Sequence, residues 1–334
     1  MRRQLTLSTV ATVALLGLPA AAQAQLPTPA PAPAPTPPPS VVPPAQKGKV
    51  SIKVSGGQAT KKARYVARGA AIRVRGTVKP LVAGQTVLVE VLRKKKVISR
   101  QSVRVGAKGR VRARIKTRRS GSIKVRIRHV ATPQQLAFKS RSARVKVVSL
   151  SAGQGSRGTK VLLLQRGLYK LGYAVPRTGF YDGGTSRAVL AFRKTNGIGR
   201  DGFATRGVYS QVLQNKGSFK ARFPKAGRHV EFDWSRQVLA LFNSKGKASR
   251  TYHASSGKPS TPTVFGRFRF YRRDLGTNAK GMVDAAYFIG GYAIHGYASV
   301  PNYPASHGCI RVPVPNARQI RNAVSLGEKI FVYR

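Results

Sequence analysis

The sequence predicts a multidomain, mainly β protein with one small helical segment, and three observations carry that expectation. The chain has 334 residues, which at roughly 100–200 residues per domain means more than one domain. The hydrophobic period is two up to about residue 148, becomes helical between about 155 and 215, and returns to two beyond about 229. Apolar residues make up 41% of the chain, enough to build cores despite a formal charge of +54 from 62 Lys+Arg against 8 Asp+Glu, so this is not a disordered polycation. That charge calls for a polyanionic partner, either nucleic acid or an anionic cell-envelope polymer, and composition alone does not choose between them. A lone cysteine excludes an internal disulfide and any zinc site built from several thiolates.

Residues 1–24 read as a secretory signal peptide. Met1-Arg2-Arg3 supplies the positive start, Val10 to Leu18 the apolar centre, and Ala22-Gln23-Ala24 the small-x-small cleavage site. The apolar centre is shorter than the ~20 residues of a membrane span, so an exported chain with no stable span after cleavage is expected. Residues 25–46 form a Pro-rich linker, since ten of the 21 prolines fall between Pro27 and Pro44 in an extended, coreless run. From residue 47 to 150, runs such as Ile72-Arg73-Val74-Arg75 and Ile123-Lys124-Val125-Arg126-Ile127-Arg128 alternate apolar and basic side chains, with glycine breaks between them. This is the pattern of antiparallel strands with one wet face, and it implies a small Ig-like β-sandwich. Between Lys47 and Val148 there are 30 Lys+Arg and one acid, Glu90, so the wet face is a solvated charge layer or a surface for anionic wall polymers. Nucleic acid is not expected as a partner: Tyr65 and Phe138 are the stretch's only Tyr, Phe or Trp residues available for base stacking, and an exported protein rarely meets it.

Residues 153–215 carry helical periodicity. Val161, Leu164, Leu168 and Leu171 share a face and Gly172 follows as a stop. A second helix is expected from Thr185 to Gly197 with Ala188, Val189 and Phe192 inward, and a third from Thr205 with Val208 and Val212, making a small three-helix bundle. With Gln165, Tyr173 and Asp201-Gly202, these positions resemble the three-helix peptidoglycan-binding domain, which implies a module that holds glycan or stem peptide. The loop Thr178-Gly179-Phe180-Tyr181-Asp182 departs from the usual pattern of that family.

Residues 226–334 contain strand-like segments at Val238 to Phe242, Phe265 to Tyr271, Ala286 to Ile294 and Lys329 to Tyr333, along with four of the five histidines and the single cysteine. Ile294-His295-Gly296 is followed, nine residues later, by Ser306-His307-Gly308-Cys309-Ile310-Arg311. A free thiol of pKa ~8.5 is mostly protonated at neutral pH, so a nucleophilic Cys309 needs a neighbouring base such as His295 or His307. Gly308 leaves room for a substrate carbonyl beside backbone amides, and Arg311 offers a fork for a carboxylate. On chemistry alone three readings stay open: a thiol nucleophile, a zinc site from His295, His307 and Cys309, and a structural cysteine.

His-Gly followed by Ser-His-Gly-Cys-Ile-Arg resembles the signature of the L,D-transpeptidase catalytic domain (YkuD-type), as do Ser255-Ser256-Gly257-Lys258-Pro259, Thr261-Pro262-Thr263 and Gly266. The resemblance implies a β-rich catalytic domain over 226–334 that needs no metal or cofactor. By position it implies Cys309 as nucleophile, His295 as base oriented through the Gly296 carbonyl, and His307, Gly308 and Cys309 around the oxyanion. Ser306 then supports the loop and Arg311 contacts the substrate carboxylate. The implied activity is acylation of Cys309 by a peptidoglycan tetrapeptide stem, release of D-alanine and transfer to an amine of another stem. Water as acceptor, giving a carboxypeptidase, and a catalytically silent wall-binding protein are the alternatives.

Overall fold

The computed structural model describes residues 44–61 and 63–334; the expected signal peptide and all but the end of the expected Pro-rich linker lie outside the described residues. Among the described residues no helix is long and apolar enough to cross a membrane.

The first part of the chain folds as two sheets around one core. In the four-stranded sheet, Ala71–Lys79 is flanked by Lys49–Val50 and Lys53–Ser55 on one side and by Arg110–Lys116 on the other. The seven-stranded sheet runs Gln58–Ala59, Arg64–Ala67, Ala143–Val148, Gly121–His129, Thr86–Arg93 and Lys96–Arg104, with Phe138–Lys139 added beside Gly121–His129. Pairing is antiparallel except between Arg64–Ala67 and Ala143–Val148. The period-two pattern is realised directly: Ile72, Val74, Val111, Val125, Ile127 and Val145 are buried between the sheets while the basic residues alternate outward. Glu90 is the exception, a buried acid on the second sheet held by Arg126 at 2.6 Å and Arg100 at 3.3 Å. Burial alone would push its carboxyl up, and the two arginines overcome this and hold it below the usual range.

Three helices follow: α1 (Thr159–Lys170), α2 (Gly183–Thr195) and α3 (Arg206–Leu213). Their core joins Val161, Leu164, Leu168, Phe192 and Val208 with the rings of Tyr173, Tyr181 and Tyr209. The second helix starts two residues before the expected Thr185, because Asp182 caps it by accepting a hydrogen bond from the Thr185 amide at 2.8 Å. Buried Gln165 ties α1 to the loop before α2, donating to the Phe180 carbonyl and Thr185 Oγ1 and accepting from the Gly179 amide. Leu163 and Leu213 complete the core of the preceding sandwich.

The last part has a five-stranded sheet, ordered Ala248–His253, Val238–Phe242, His229–Asp233, Lys329–Tyr333 and Gly266–Arg269. A four-stranded sheet, ordered Arg272–Arg273, Val283–Ile289, Tyr292–Tyr297 and Ile310–Pro313, carries the fourth helix α4 (Val314–Ala323) against it. Where the apolar run from Ala286 to Ile294 suggests one strand, the chain makes a hairpin: Val283–Ile289 and Tyr292–Tyr297 pair antiparallel and reverse at Gly290-Gly291, with Gly290 at φ +47°. A two-residue turn of this kind demands positive φ, which glycine adopts without strain.

A buried acid cluster closes the start of this part onto its end. Glu231 accepts hydrogen bonds from the Arg222 and Phe223 amides at 3.0 and 2.9 Å, from Tyr333 Oη at 2.8 Å and from His229 Nε2 at 3.0 Å. Removing the carboxylate strands four donors in an enclosed site. Glu231→Ala is therefore expected to lower unfolding stability by about 3–5 kcal/mol, and Tyr333→Phe by about 1 kcal/mol, read from urea midpoints. Equal midpoints for Glu231→Ala and the native chain would contradict this.

Candidate active site

The parallel strands Tyr292–Tyr297 and Ile310–Pro313 set the geometry. Their register places His295 opposite Arg311 and Gly296 opposite Val312. Side chains alternate along a strand, so His295, Tyr297 and Arg311 share one face, and Cys309, just before Ile310–Pro313, packs against the cluster of Ala293 on that face. The other face carries Ile294, Ile310 and Val312 into the core. Cys309 is half-buried against Met282, Ala285, Tyr287 and Ala293, and its thiol donates to the Gly291 carbonyl at 3.5 Å. His295 is only 3% exposed. Its Nδ1 lies 3.0 Å from the Gly296 carbonyl, which can only accept, so Nδ1 carries the hydrogen and Nε2 presents a lone pair.

Electrostatics keep both groups neutral at rest. Burial pushes the Cys309 thiol up, against weaker opposing effects from the Ala293 amide and the charges of Arg311 and Lys280. Burial pushes the His295 imidazole down; the Gly296 carbonyl opposes this and Arg311 adds to it. The arrangement is thus a neutral thiol at the start of one strand and a neutral imidazole on its neighbour, with a base that remains unprotonated below the ordinary histidine range.

The loop into Cys309 is held by Ser306, by Ser256, Thr261 and Thr263, which the sequence analysis quotes without a role, and by Gln237, which it does not single out. Ser306, 1% exposed, accepts from the Gly308 amide at 3.1 Å and donates to the Cys309 carbonyl. Thr263 Oγ1 donates to the Gly308 carbonyl at 2.6 Å and accepts from the Gly257 amide at 2.8 Å. Thr261 Oγ1 donates to the Ser306 carbonyl at 2.9 Å, and the Ser256 carbonyl accepts from Ala305 and Ser306. Gln237 in turn exchanges two hydrogen bonds with Ser256. Gly308 has φ +116°, and a Cβ there would lie 2.6 Å from Tyr292 Cε1, so both conformation and space require glycine. Gly296 serves packing: a Cβ would lie 2.8 Å from Ala317 Cβ of α4.

All seven sequence-derived site residues, Cys309, His295, His307, Ser306, Gly308, Gly296 and Arg311, thus belong to one pair of strands and its entry loop. The imidazole of His307 stands apart: the residue is exposed, and among the described residues its ring has no hydrogen-bond partner. Among the described residues no group of three or more His, Cys, Asp or Glu side chains converges as a metal site, so His295, His307 and Cys309 do not form the three-ligand set. The Arg311 guanidinium lies 4.0 Å over the Tyr297 ring and donates to the Ala305 carbonyl at 3.3 Å.

The helical part reaches this loop directly. Buried Lys194, in the last turn of α2, donates to His253 Nδ1 at 2.9 Å and to the Ala254 carbonyl at 3.1 Å, and His253 Nε2 lies 2.8 Å from the Val300 carbonyl. Arg200 and Asn302 exchange hydrogen bonds, and Ser255 Oγ donates to the Tyr303 carbonyl at 2.6 Å. Burial, reinforced by the charge of Arg200, pushes the Lys194 amine down to about 6; burial and then Lys194 push His253 down to about 3.

Residues 227–332 match the family of L,D-transpeptidase catalytic domains, and residues 157–211 match the peptidoglycan-binding domain family. Among solved structures the chain is similar to the L,D-transpeptidase of Xylanimonas cellulosilytica DSM 15894, with 31% identity over 56% of this chain and 98% of that one, at a TM-score of 0.51. Lower similarity is found to an L,D-transpeptidase of Stackebrandtia nassauensis, 19% identical over 55% of this chain and 95% of that one with a TM-score of 0.34. An L,D-transpeptidase of Mycobacterium smegmatis is 12% identical over 86% of this chain and 100% of that one, with a TM-score of 0.29. No curated protein matches the chain.

Proposed function

The chain belongs to the L,D-transpeptidase family, and from that premise we propose that it is an exported cysteine acyltransferase that cross-links peptidoglycan stems. The observation that carries the reading is Cys309, just before Ile310–Pro313 and packed on the cluster of Ala293, two residues before His295, whose Nε2 lone pair is set by the Gly296 carbonyl.

The donor is a tetrapeptide stem. Cys309 Sγ attacks the carbonyl of the third, diamino residue as His295 Nε2 takes the thiol proton. The oxyanion is held by backbone amides of the His307–Cys309 segment, a contribution of roughly 3–4 kcal/mol in comparable acyl transfers. Collapse breaks the C–N bond, the imidazolium returns its proton to the departing amine, and D-alanine leaves a thioester on Cys309. The side-chain amine of a second stem then attacks the thioester, His295 accepts its proton, and thiol and cross-linked product form together. Arg311 takes the stem carboxylate, Ser306 steadies the loop, and His307 contributes through its backbone. The signal peptide and linker deliver the enzyme to the wall, and the helical module holds glycan or stem peptide there.

Mass spectrometry of residues 25–334 mixed with a purified disaccharide-tetrapeptide tests the proposal. An acyl adduct on Cys309, release of D-alanine and dimeric product are expected. Release without dimer would make the protein a carboxypeptidase, and an untouched substrate without adduct would leave a wall-binding protein.

A further inference from the structure

The four-stranded sheet has an outer face with one chemical character. Ile72, Val74, Val78 and Val111 point into the core, so the intervening residues of the same strands point out. Register places Arg73 opposite Arg114 and Arg75 opposite Arg112, with Lys53 opposite Arg75 from the other side. All five are exposed, as is Lys116 at the end of the row, and among the described residues none of them is in an ion pair. Among the described residues, the ion pairs of this part of the chain converge on Glu90, on the other sheet. Like charges directly opposite destabilise a sheet, and a face needing only solubility would intersperse both signs. A lattice of unneutralised guanidinium groups at fixed spacing is a surface whose missing counterpart is an anion.

The geometry narrows the anion. Successive outward residues on a strand lie about 6.7 Å apart, twice the rise per residue, which suits a linear polymer carrying one charge per short repeat. The face is dominated by arginine, whose planar fork matches phosphate oxygens in pairs. It bears no aromatic side chain on which a base could stack and no large apolar side chain to enter a lipid layer. We infer that the outer face of this sheet, through Arg73, Arg75, Arg112 and Arg114, binds an extended polyol-phosphate chain of the cell envelope. The inference rests on the reading of the protein as a wall enzyme only for where that polymer is met; recognition follows from the sheet.

Residues 25–334 titrated with poly(glycerol phosphate), from about 50 to about 300 mM NaCl, should bind with affinity falling linearly against log salt. The variant R73Q/R75Q/R112Q/R114Q should bind about tenfold or more weakly at the low-salt end, with a salt slope flatter by about 3, because phosphate contacts and their released counterions are lost together. Removing the same charge elsewhere on the sandwich, as K96Q/K124Q/K139Q/R144Q, should change affinity by about threefold at most if the site is local rather than a net-charge effect. Melting temperature checks that both variants fold, and relief of like-charge repulsion predicts no loss for the first. Equal losses in the two variants, or none in the first, overturn the assignment. So does oligo-dT or polygalacturonate binding as tightly as the polyol phosphate. The assay reads binding alone, so its outcome is independent of whether Cys309 turns over.

Discussion

Cys309→Ala should leave no acyl adduct and reduce D-alanine release by about 10⁴-fold or more, the scale on which loss of a covalent nucleophile is felt elsewhere. His295→Gln should retain the thiol and lose about 10²–10⁴-fold, the usual worth of a positioned base. The pH profile follows from the neutral resting pair. His295 is pushed down by its burial, so the base stays unprotonated, and kcat/KM holds its plateau, to a pH below the ~6.5 of free histidine. Cys309 is pushed up by burial, so iodoacetamide should alkylate the His295→Gln protein with a midpoint above the ~8.5 of a free thiol. In the native protein, an alkylation midpoint well below neutrality would mean a preformed thiolate–imidazolium pair, and the proton transfer described above would then precede substrate.

Legibility in the sequence divided along the range of the interactions. Strand alternation gave the sandwich face and the helical period gave the bundle, because Arg73 beside Val74, or Leu164 four residues before Leu168, are local facts. The cluster from Ser306 to Arg311 was legible for the same reason. Thr263 and Gln237 were not legible as site residues: their roles depend on pairing Ser255 with Arg311 and on carbonyls 45 residues away in the chain. The hairpin at Gly290-Gly291 was hidden because apolar residues continue on both sides of it. Helix α4 was missed because only Ala317 and Ile320 of its ten residues are buried, too narrow a stripe to stand out in periodicity. Lys194 is the sharpest case. A lysine near the end of an amphipathic helix reads as solvated, yet the docking of α2 on the Ala248–His253 strand buries it to 4% exposure.

That burial leads to the other large effect expected. If the helical module only retained the enzyme at the wall, substitutions in it would leave turnover of a small soluble stem unchanged. The contacts argue otherwise: Lys194 holds His253 against the Val300 carbonyl, and Arg200 clasps Asn302, so two points of the loop between His295 and Ser306 are anchored on the module. The loop runs straight into Cys309, and misplacement of a reacting group by about 1 Å can cost about 10²-fold. Lys194→Met combined with Arg200→Ala should therefore lower kcat on soluble disaccharide-tetrapeptide by roughly 10- to 100-fold, with sedimentation on purified wall unchanged. Stability should move the other way for Lys194→Met alone. The folded chain favours the neutral amine, with its pKa pushed from 10.5 down to about 6, so between those values the unfolded chain binds more protons and wild-type stability rises with pH. Methionine carries no proton, so it should stabilise the fold most below about pH 6 and progressively less toward pH 10.5. A variant less active yet more resistant to acid unfolding separates positioning from mere structural damage, since damage would lower both. Unchanged soluble turnover would return the module to a tether.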